Sequence, residues 1–339
     1  MREVDNPRNR FAPANIEWEP GEAPLAALHV HEERAKSILS ANDSPDLPFR
    51  YSINPYRGCQ HACAYCYARP THPYLGFGAG TDFDREIVVK VNAPELLRRA
   101  LDRTSWQGET IAFSGNTDCY QPLEGRYRLT RELLAICAEQ CNPVVLITKS
   151  TLVQRDLDVL LRLAERAELC VYMSIAFADD ETARSLEPGA PAVHRRFETL
   201  RALSQAGLET GVAVAPIIPG LNDRDVAKVL ERAAEAGAKR AFHTLLRLPG
   251  EVAQVFDERL EQALPLAAER VRHAQRETRG GRPNDARFFD RMRGQGARWQ
   301  LIDDLFQLQA RRVGLQVGEG ARRTFSAPAG KSRRQLTLF

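Results

Sequence analysis

Residues 58–69 read GCQHACAYCYAR and follow an apolar, strand-like run without a break. Cys59, Cys63 and Cys66 are spaced C-x3-C-x2-C. Three thiolates on so short a loop can wrap one corner of a four-iron, four-sulfur cubane, and cysteine thiolates are the ligands such clusters take. Three protein ligands leave one iron open to substrate or cofactor. A cluster that only transfers electrons would normally close that iron with a fourth cysteine. Gly58 allows a tight backbone approach, and Tyr65 puts an aromatic ring beside the cluster, where it can pack on an adenine ring. The competing reading is structural zinc, which prefers a tetrahedral set built from two separated pairs of ligands. His61 or His72 would then have to supply the fourth ligand, at spacings awkward for it.

The surrounding composition suits reduced thiols. Seven cysteines are an odd number in a chain of 339 residues, and the opening MREVDNPRNRF lacks the apolar stretch of an export signal. A disulfide framework is not expected, and a cytoplasmic location is. Hydrophobic residues make up 43% of the chain, enough for a sizeable core. No apolar run reaches the length of a membrane-spanning helix, so no membrane association is expected.

Outward from the cysteines, short β-branched or apolar runs alternate with segments of helical period. Strands are expected at 52–56, 110–114, 144–148, 170–176, 210–215 and 240–245, and helices at 94–103, 129–140, 156–166, 194–205, 223–236 and 252–276. Asn92 and Glu95 read as a capping box for the first helix. Gly207 and Gly237 sit where helices should stop. Six strand–helix units call for an α/β fold with a parallel sheet, as an open partial (β/α)6 barrel or a doubly wound sheet. In both, ligands bind at the C-terminal strand ends. Short helices are expected at 286–292 and 298–313. The chain thus divides into an extended N-terminal arm (1–48, with a helical stretch at 32–39), a barrel (49–262), a helical, Arg-rich C-terminal extension (263–317) and a flexible basic tail (318–339).

The arrangement C-x3-C-x-aromatic-C at the end of the first core strand resembles the signature of the radical S-adenosylmethionine (SAM) superfamily. The wider run SINPYRGCQHACAYCYARPTH, residues 52–72, resembles its spore photoproduct lyase-like branch. The resemblance spans roughly residues 51–250, the length of a partial radical SAM barrel. It implies a 4Fe–4S cluster on Cys59, Cys63 and Cys66, with the methionine amino and carboxylate groups of SAM chelating the open iron. One electron from a low-potential donor such as flavodoxin or ferredoxin would cleave the C5′–S bond to give methionine and a 5′-deoxyadenosyl radical. That radical would abstract hydrogen from the substrate, while the protein positions the reactants and excludes water.

The same resemblance directs attention to the strand ends. In IAFSGNTDCYQPLE (111–124), Ser114, Asn116, Thr117 and Asp118 fall where the family binds the methionine amino group, although the usual Gly-Gly-Glu is absent. The alternative is a polar helix-capping loop. Lys149 in VVLITKS and Ser174 in YMSIAF resemble positions that pair with the methionine carboxylate. The strand end GVAVAPIIPGLND (211–223) resembles the adenine-contacting one, although Asn222 and Asp223 can simply cap the next helix. Cys119 is placed to return a hydrogen atom to a substrate radical, as a cysteine does in spore photoproduct lyase. The bland alternative is a buried filler. Cys137, Cys141 and Cys170 read as packing residues.

Charge is unevenly spread. From residue 261 to the end there are 16 Lys and Arg against 8 Asp and Glu, and 15 of the 16 cations are arginine. That asymmetry suggests a polyanionic partner, DNA first, against the alternative of a solvated helical surface. The chain ends KSRRQLTLF. An apolar cluster at a basic terminus reads as a docking peptide, and it resembles the motif by which repair proteins bind the bacterial DNA polymerase sliding clamp. Leu336, Leu338 and Phe339 would fill the pocket and Gln335 would bond at its rim. The favoured substrate is a DNA lesion. RNA or protein modification is a second reading, and a non-enzymatic iron–sulfur or zinc scaffold a third.

Overall fold

The runs VVLIT, LCVYMS and TGVAVAPI are apolar at nearly every position, so they are stable only in a sheet covered on both faces. The computed structural model describes Phe11 and residues 27–318. In chain order its strands are β1 (His29–Glu33), β2 (Leu39–Ala41), β3 (Tyr51–Ile53), β4 (Tyr56–Arg57), β5 (Glu86–Lys90) and β6 (Ile111–Phe113). They continue with β7 (Val144–Thr148), β8 (Leu169–Ser174), β9 (Thr210–Ile217), β10 (Arg240–Leu245) and β11 (Gln316–Val317).

The main sheet has the order β11-β10-β9-β8-β7-β6-β3-β2. Its neighbours are parallel except β2, which runs antiparallel to β3. From β3 through β6 to β10 the spatial order follows the chain order without reversing. A doubly wound sheet would reverse at a switch point, so the arrangement is the singly wound, partial (β/α)6 barrel. The edge strands β2 and β11 do not pair, and the barrel stays open. Helices Leu129–Glu139, Leu157–Arg166, Val193–Gln205 and Val226–Glu235 link successive strands. Gly207 and Gly237, both at φ +94°, end two of them. In each case the glycine and the residue after it donate back to the last helical turn, as a Schellman motif requires.

Several expectations change. The strand at 52–56 is two pieces, because Pro55 has no N–H to give a ladder. β3 stays in the main sheet, and β4 joins β5 and β1 in a separate three-stranded sheet. The stretch 32–39 is not helical. HVHEE at its start is instead β1, pairing in parallel with β5. Asn92 makes no side-chain cap; its amide instead brackets Ala35 of the arm, accepting from Ala35 N at 2.9 Å and donating to Ala35 O at 3.0 Å. The helix at 252–276 breaks into Val252–Ala263 and Pro265–Glu277, since a proline forbids helical geometry at the residue before it. Residues 286–292 form turns instead of a helix. There the Arg279 guanidinium collects the carbonyls of Asp290, Arg291 and Arg293, turning them away from a helical ladder. That segment also bridges the open side of the barrel. Met292 O accepts from Leu245 N at the end of β10, while Phe289 N and the Arg291 side chain hold Asp46.

Candidate active site

The cysteine loop is fixed by its backbone before any ligand is considered. Gly58 has φ +77°, and a Cβ there would lie 2.8 Å from both Phe83 O and the Ile87 side chain. Only glycine meets both demands. Beyond it, Cys59 N–H donates to Phe83 O, and turns close from Ala62 to Cys59, Cys66 to Cys63 and Arg69 to Cys66. Gly189 packs so tightly that a Cβ would sit 2.0 Å from Gln60 O. Gln121, fully buried, accepts from Gln60 N at 3.1 Å and donates to Gly58 O at 3.0 Å. Arg69, also buried, donates to Cys63 O, Ala79 O and Gly80 O and grips Asp84 with one nitrogen at 2.9 and 3.2 Å. The last residue of the motif therefore locks the loop that the first residue opens.

Cys59 and Cys63 are buried, and Cys66 is partly so. Burial pushes all three thiols up, Cys63 to about 12; Cys63 and Cys66 add to the rise at Cys59, and Cys66 adds to that at Cys63. Thiolates crowded in a dry site need positive charge among them, which iron supplies. Among the described residues no three His, Cys, Asp or Glu side chains converge as ligands of one ion. A cubane binds its cysteines at separate corners, so the donor set suits a cluster. Each histidine that could serve as the fourth zinc ligand already has one ring nitrogen engaged, while His72 Nδ1 is buried with no hydrogen-bond partner among the described residues. His61 Nδ1 lies 3.3 Å from Asp118, and His72 Nε2 is 2.9 Å from Glu86 O.

A buried ionic cluster lies directly behind the loop. Lys149, just past β7, reaches Ser174 Oγ on β8 at 3.1 Å and Glu187 Oε1 at 3.9 Å. Glu187 accepts from the Tyr65 hydroxyl and pairs with Arg196. Arg196 in turn donates to Ser174 O and Pro191 O. Burial opposes the charge on Glu187, but Arg196 and Lys149 hold its carboxyl below the usual range. Burial likewise opposes the charge on Lys149, while Cys63 and Glu187 raise it. Taking several charges out of water is tolerable only when they answer one another.

The end of β6 is held by different bonds. Asn54 Oδ1 accepts from Asn116 N at 2.7 Å and Thr117 N at 3.3 Å, and Thr117 Oγ1 donates to Tyr56 O. Asp118 accepts from Thr148 Oγ1 at 2.7 Å and Lys149 N at 2.8 Å. Burial pushes Asp118 up, but His61 and these donors bring it down to about 2. Ser114, at φ +67°, accepts from Cys119 N. Tyr65, Lys149 and Ser174 thus gather around Cys63, and Asp118 ties the β6 end to them. Cys119 does not join the group: it is 0% exposed, within the main core, facing the hydroxyls of Ser114 and Thr130. Sequence reasoning missed Arg69, Gln121, Glu187 and Arg196, and considered His61 only as a zinc ligand. Arg69 and Gln121 stood inside quoted motifs, where a buried-polar reading could have found them. Glu187 and Arg196 gave no local signal.

Comparison with known proteins agrees with this geometry. Residues 53–233 match the family model of the Radical SAM superfamily. The chain is 41% identical over 252 residues to an uncharacterized protein of Mycobacterium tuberculosis, covering 74% of each. It is 27% identical over 213 residues to the radical SAM Nalpha-GlyT isomerase of Pseudomonas phage M6, covering 61% of this chain and 42% of that one. Among solved structures, spore photoproduct lyase complexed with dinucleoside spore photoproduct superposes with a TM-score of 0.62 at 16% identity, over 89% and 87% of the two chains. A variant of that enzyme carrying AdoMet gives 0.61 at 18% identity, over 89% and 87% of the two chains. At such identities the likeness is one of fold. The chain belongs to the radical SAM superfamily, whose enzymes carry out radical chemistry with a 4Fe–4S cluster and SAM. No helix among the described residues is long and apolar enough to cross a membrane.

Proposed function

We propose that this chain uses radical SAM chemistry on a modified or damaged base in DNA. Cys59, Cys63 and Cys66 hold the cluster, Lys149 and Ser174 receive the methionine carboxylate, and the polar end of β6 from Ser114 to Thr117 receives its amino group. Asp118, with its oxygens already committed, positions Lys149. Tyr65 is fixed through Glu187 to wall the cofactor site. When bound, cluster and SAM supply a 5′-deoxyadenosyl radical for hydrogen abstraction, with the electron coming from a donor such as flavodoxin or ferredoxin. We assign Cys119 to packing.

The observation that carries the nucleic-acid reading is the lip of the site. Tyr67 follows Cys66, is 46% exposed and donates to Gly115 O at 2.7 Å. The Arg247 guanidinium lies 5.9 Å from the Tyr67 ring centroid and 3.7 Å from Met292 Sδ. The segment reached this way presents Phe288 and Phe289, 52% and 61% exposed, with Arg291 over the Phe288 ring at 4.6 Å. Phe289 sits at φ +69°, where bulky residues are outliers. Alternating aromatic faces and guanidinium groups suit bases and phosphates. Two similar proteins support the direction, one named for Nalpha-GlyT and one bound to dinucleoside spore photoproduct.

The test is anaerobic turnover with oligonucleotides carrying a panel of lesions and modified pyrimidines, read by product mass spectrometry. Conversion of one DNA substrate is expected, and conversion of only RNA or peptide would reject the reading. The tail falls outside the described residues. Within the same proposal Gln335, Leu336, Leu338 and Phe339 dock on the sliding clamp, so removal of 335–339 abolishes clamp binding and leaves SAM cleavage intact.

A further inference from the structure

The end of the barrel away from the cysteine loop has an opening of its own. Tyr51 begins β3, Glu109 precedes β6, and Trp106 donates its indole N–H to Asn142, which precedes β7, at 2.7 Å. All three therefore mark the N-terminal ends of the strands, whereas Lys149 and Ser174 mark the C-terminal ends. Between them and helix Ala93–Leu101 lies a cleft of about 510 Å³. Lys36, Arg50, Arg99 and Arg103 line it, with Tyr51 and Trp106.

Its charge is one-sided. Among the described residues Glu109 is the only acid lining the cleft, and only Arg50 forms an ion pair with it, at 3.5 Å. Lys36, Arg99 and Arg103 take part in no ion pair among the described residues. Their neighbour Arg98, one residue before Arg99 but not lining the cleft, pairs with Glu139 at 2.7 Å. The cation outside the cleft is thus neutralised, while those lining the opening have no ion-pair partner among the described residues, Arg50 excepted. Three cations without a counter-charge repel one another and favour an anion between them. Guanidinium groups bind phosphate with paired donors. Tyr51 and Trp106, edge to face at 5.0 Å, form an aromatic wall beside the cations. Volumes of this size hold small cofactor-like ligands.

We propose that this cleft is a second ligand site, for a nucleotide: an organic phosphate carrying a flat ring. The phosphates sit among Lys36, Arg99 and Arg103, and the ring lies against Tyr51 and Trp106. The site is separate from the SAM site and does not depend on which substrate the radical attacks.

The test uses the full, cluster-loaded chain with SAM at saturation, so that the other adenosine-binding site is filled. ATP is the probe, titrated by calorimetry and by tryptophan fluorescence. Saturable binding is expected, and Arg99→Gln with Arg103→Gln weakens it about tenfold or more, the scale of lost charged hydrogen bonds. That double variant keeps its 5′-deoxyadenosine yield, which shows that it is folded. Trp106→Phe abolishes the fluorescence change while calorimetric binding persists. Tripolyphosphate, lacking the ring, binds more weakly than ATP. Displacement of ATP by SAM, equal affinity in the double variant, tripolyphosphate matching ATP, or absence of any heat would each overturn the proposal. So would capture of single-stranded DNA through these arginines without binding of ATP.

Discussion

The two ends of this barrel treat charge in opposite ways. At the C-terminal strand ends, buried Glu187 and Arg196 and the partly buried Lys149 answer one another at 3.9 Å or less. At the N-terminal ends, Lys36, Arg99 and Arg103 are exposed and have no ion-pair partner among the described residues. Desolvated charges are costly unless paired, so the first group can exist only as a rigid constellation. Exposed charges cost little and gain little from a fixed partner. They remain available to a ligand that comes and goes. Rigidity marks where a reactive intermediate must be controlled, and unpaired charge marks where something binds reversibly.

Substitutions at the rigid end should bring the larger losses. Cys63→Ala is expected to remove the cluster's visible absorbance after anaerobic reconstitution and to bring 5′-deoxyadenosine to background. Retention of both would break the site as described. Next comes Glu187→Gln, which leaves Arg196 buried without its partner and should destabilise the chain by about 3–5 kcal/mol, measured by chemical unfolding. Adding Arg196→Met should recover part of that loss, because the orphaned charge goes too. No recovery would mean that the pair is not coupled. Lys149→Met should keep the cluster spectrum and weaken SAM binding by about 1.5–3 kcal/mol, the worth of a hydrogen bond to a charged group. Equilibrium dialysis checks it, and unchanged affinity would move the carboxylate contact elsewhere. The smallest effect belongs to Cys119→Ala, about 1 kcal/mol of stability with SAM cleavage unaffected. If cleavage persists but repair of a lesion substrate stops, the packing assignment fails and the hydrogen-donor role returns.

Much of the barrel was legible because its strands are written in β-branched runs and its helices end at Gly207 and Gly237. The misreadings cluster where tertiary contacts outvote local pattern. Asn92 has the look of a cap, but its amide is drawn to Ala35, far away in sequence. Pro55 splits a strand between two sheets, and Arg279 unwinds a helix by taking its carbonyls. The three cysteines were singled out by their spacing and by the family resemblance. Their supports were not, since the Tyr65–Glu187 bond spans 122 residues. Nothing near Glu187 or Arg196 in the sequence distinguishes them from surface charges on neighbouring helices. Only the closing of successive strands around the loop brings them beneath it.

In the proposed function, Cys59, Cys63 and Cys66 hold a cubane whose remaining iron is free for SAM. Electron paramagnetic resonance of the reduced, anaerobically reconstituted chain, recorded with and without SAM, addresses it most directly. About four irons per chain and a cluster signal that changes when SAM is added are expected. A signal indifferent to SAM, or a chain that takes up one zinc and no cluster, would contradict it.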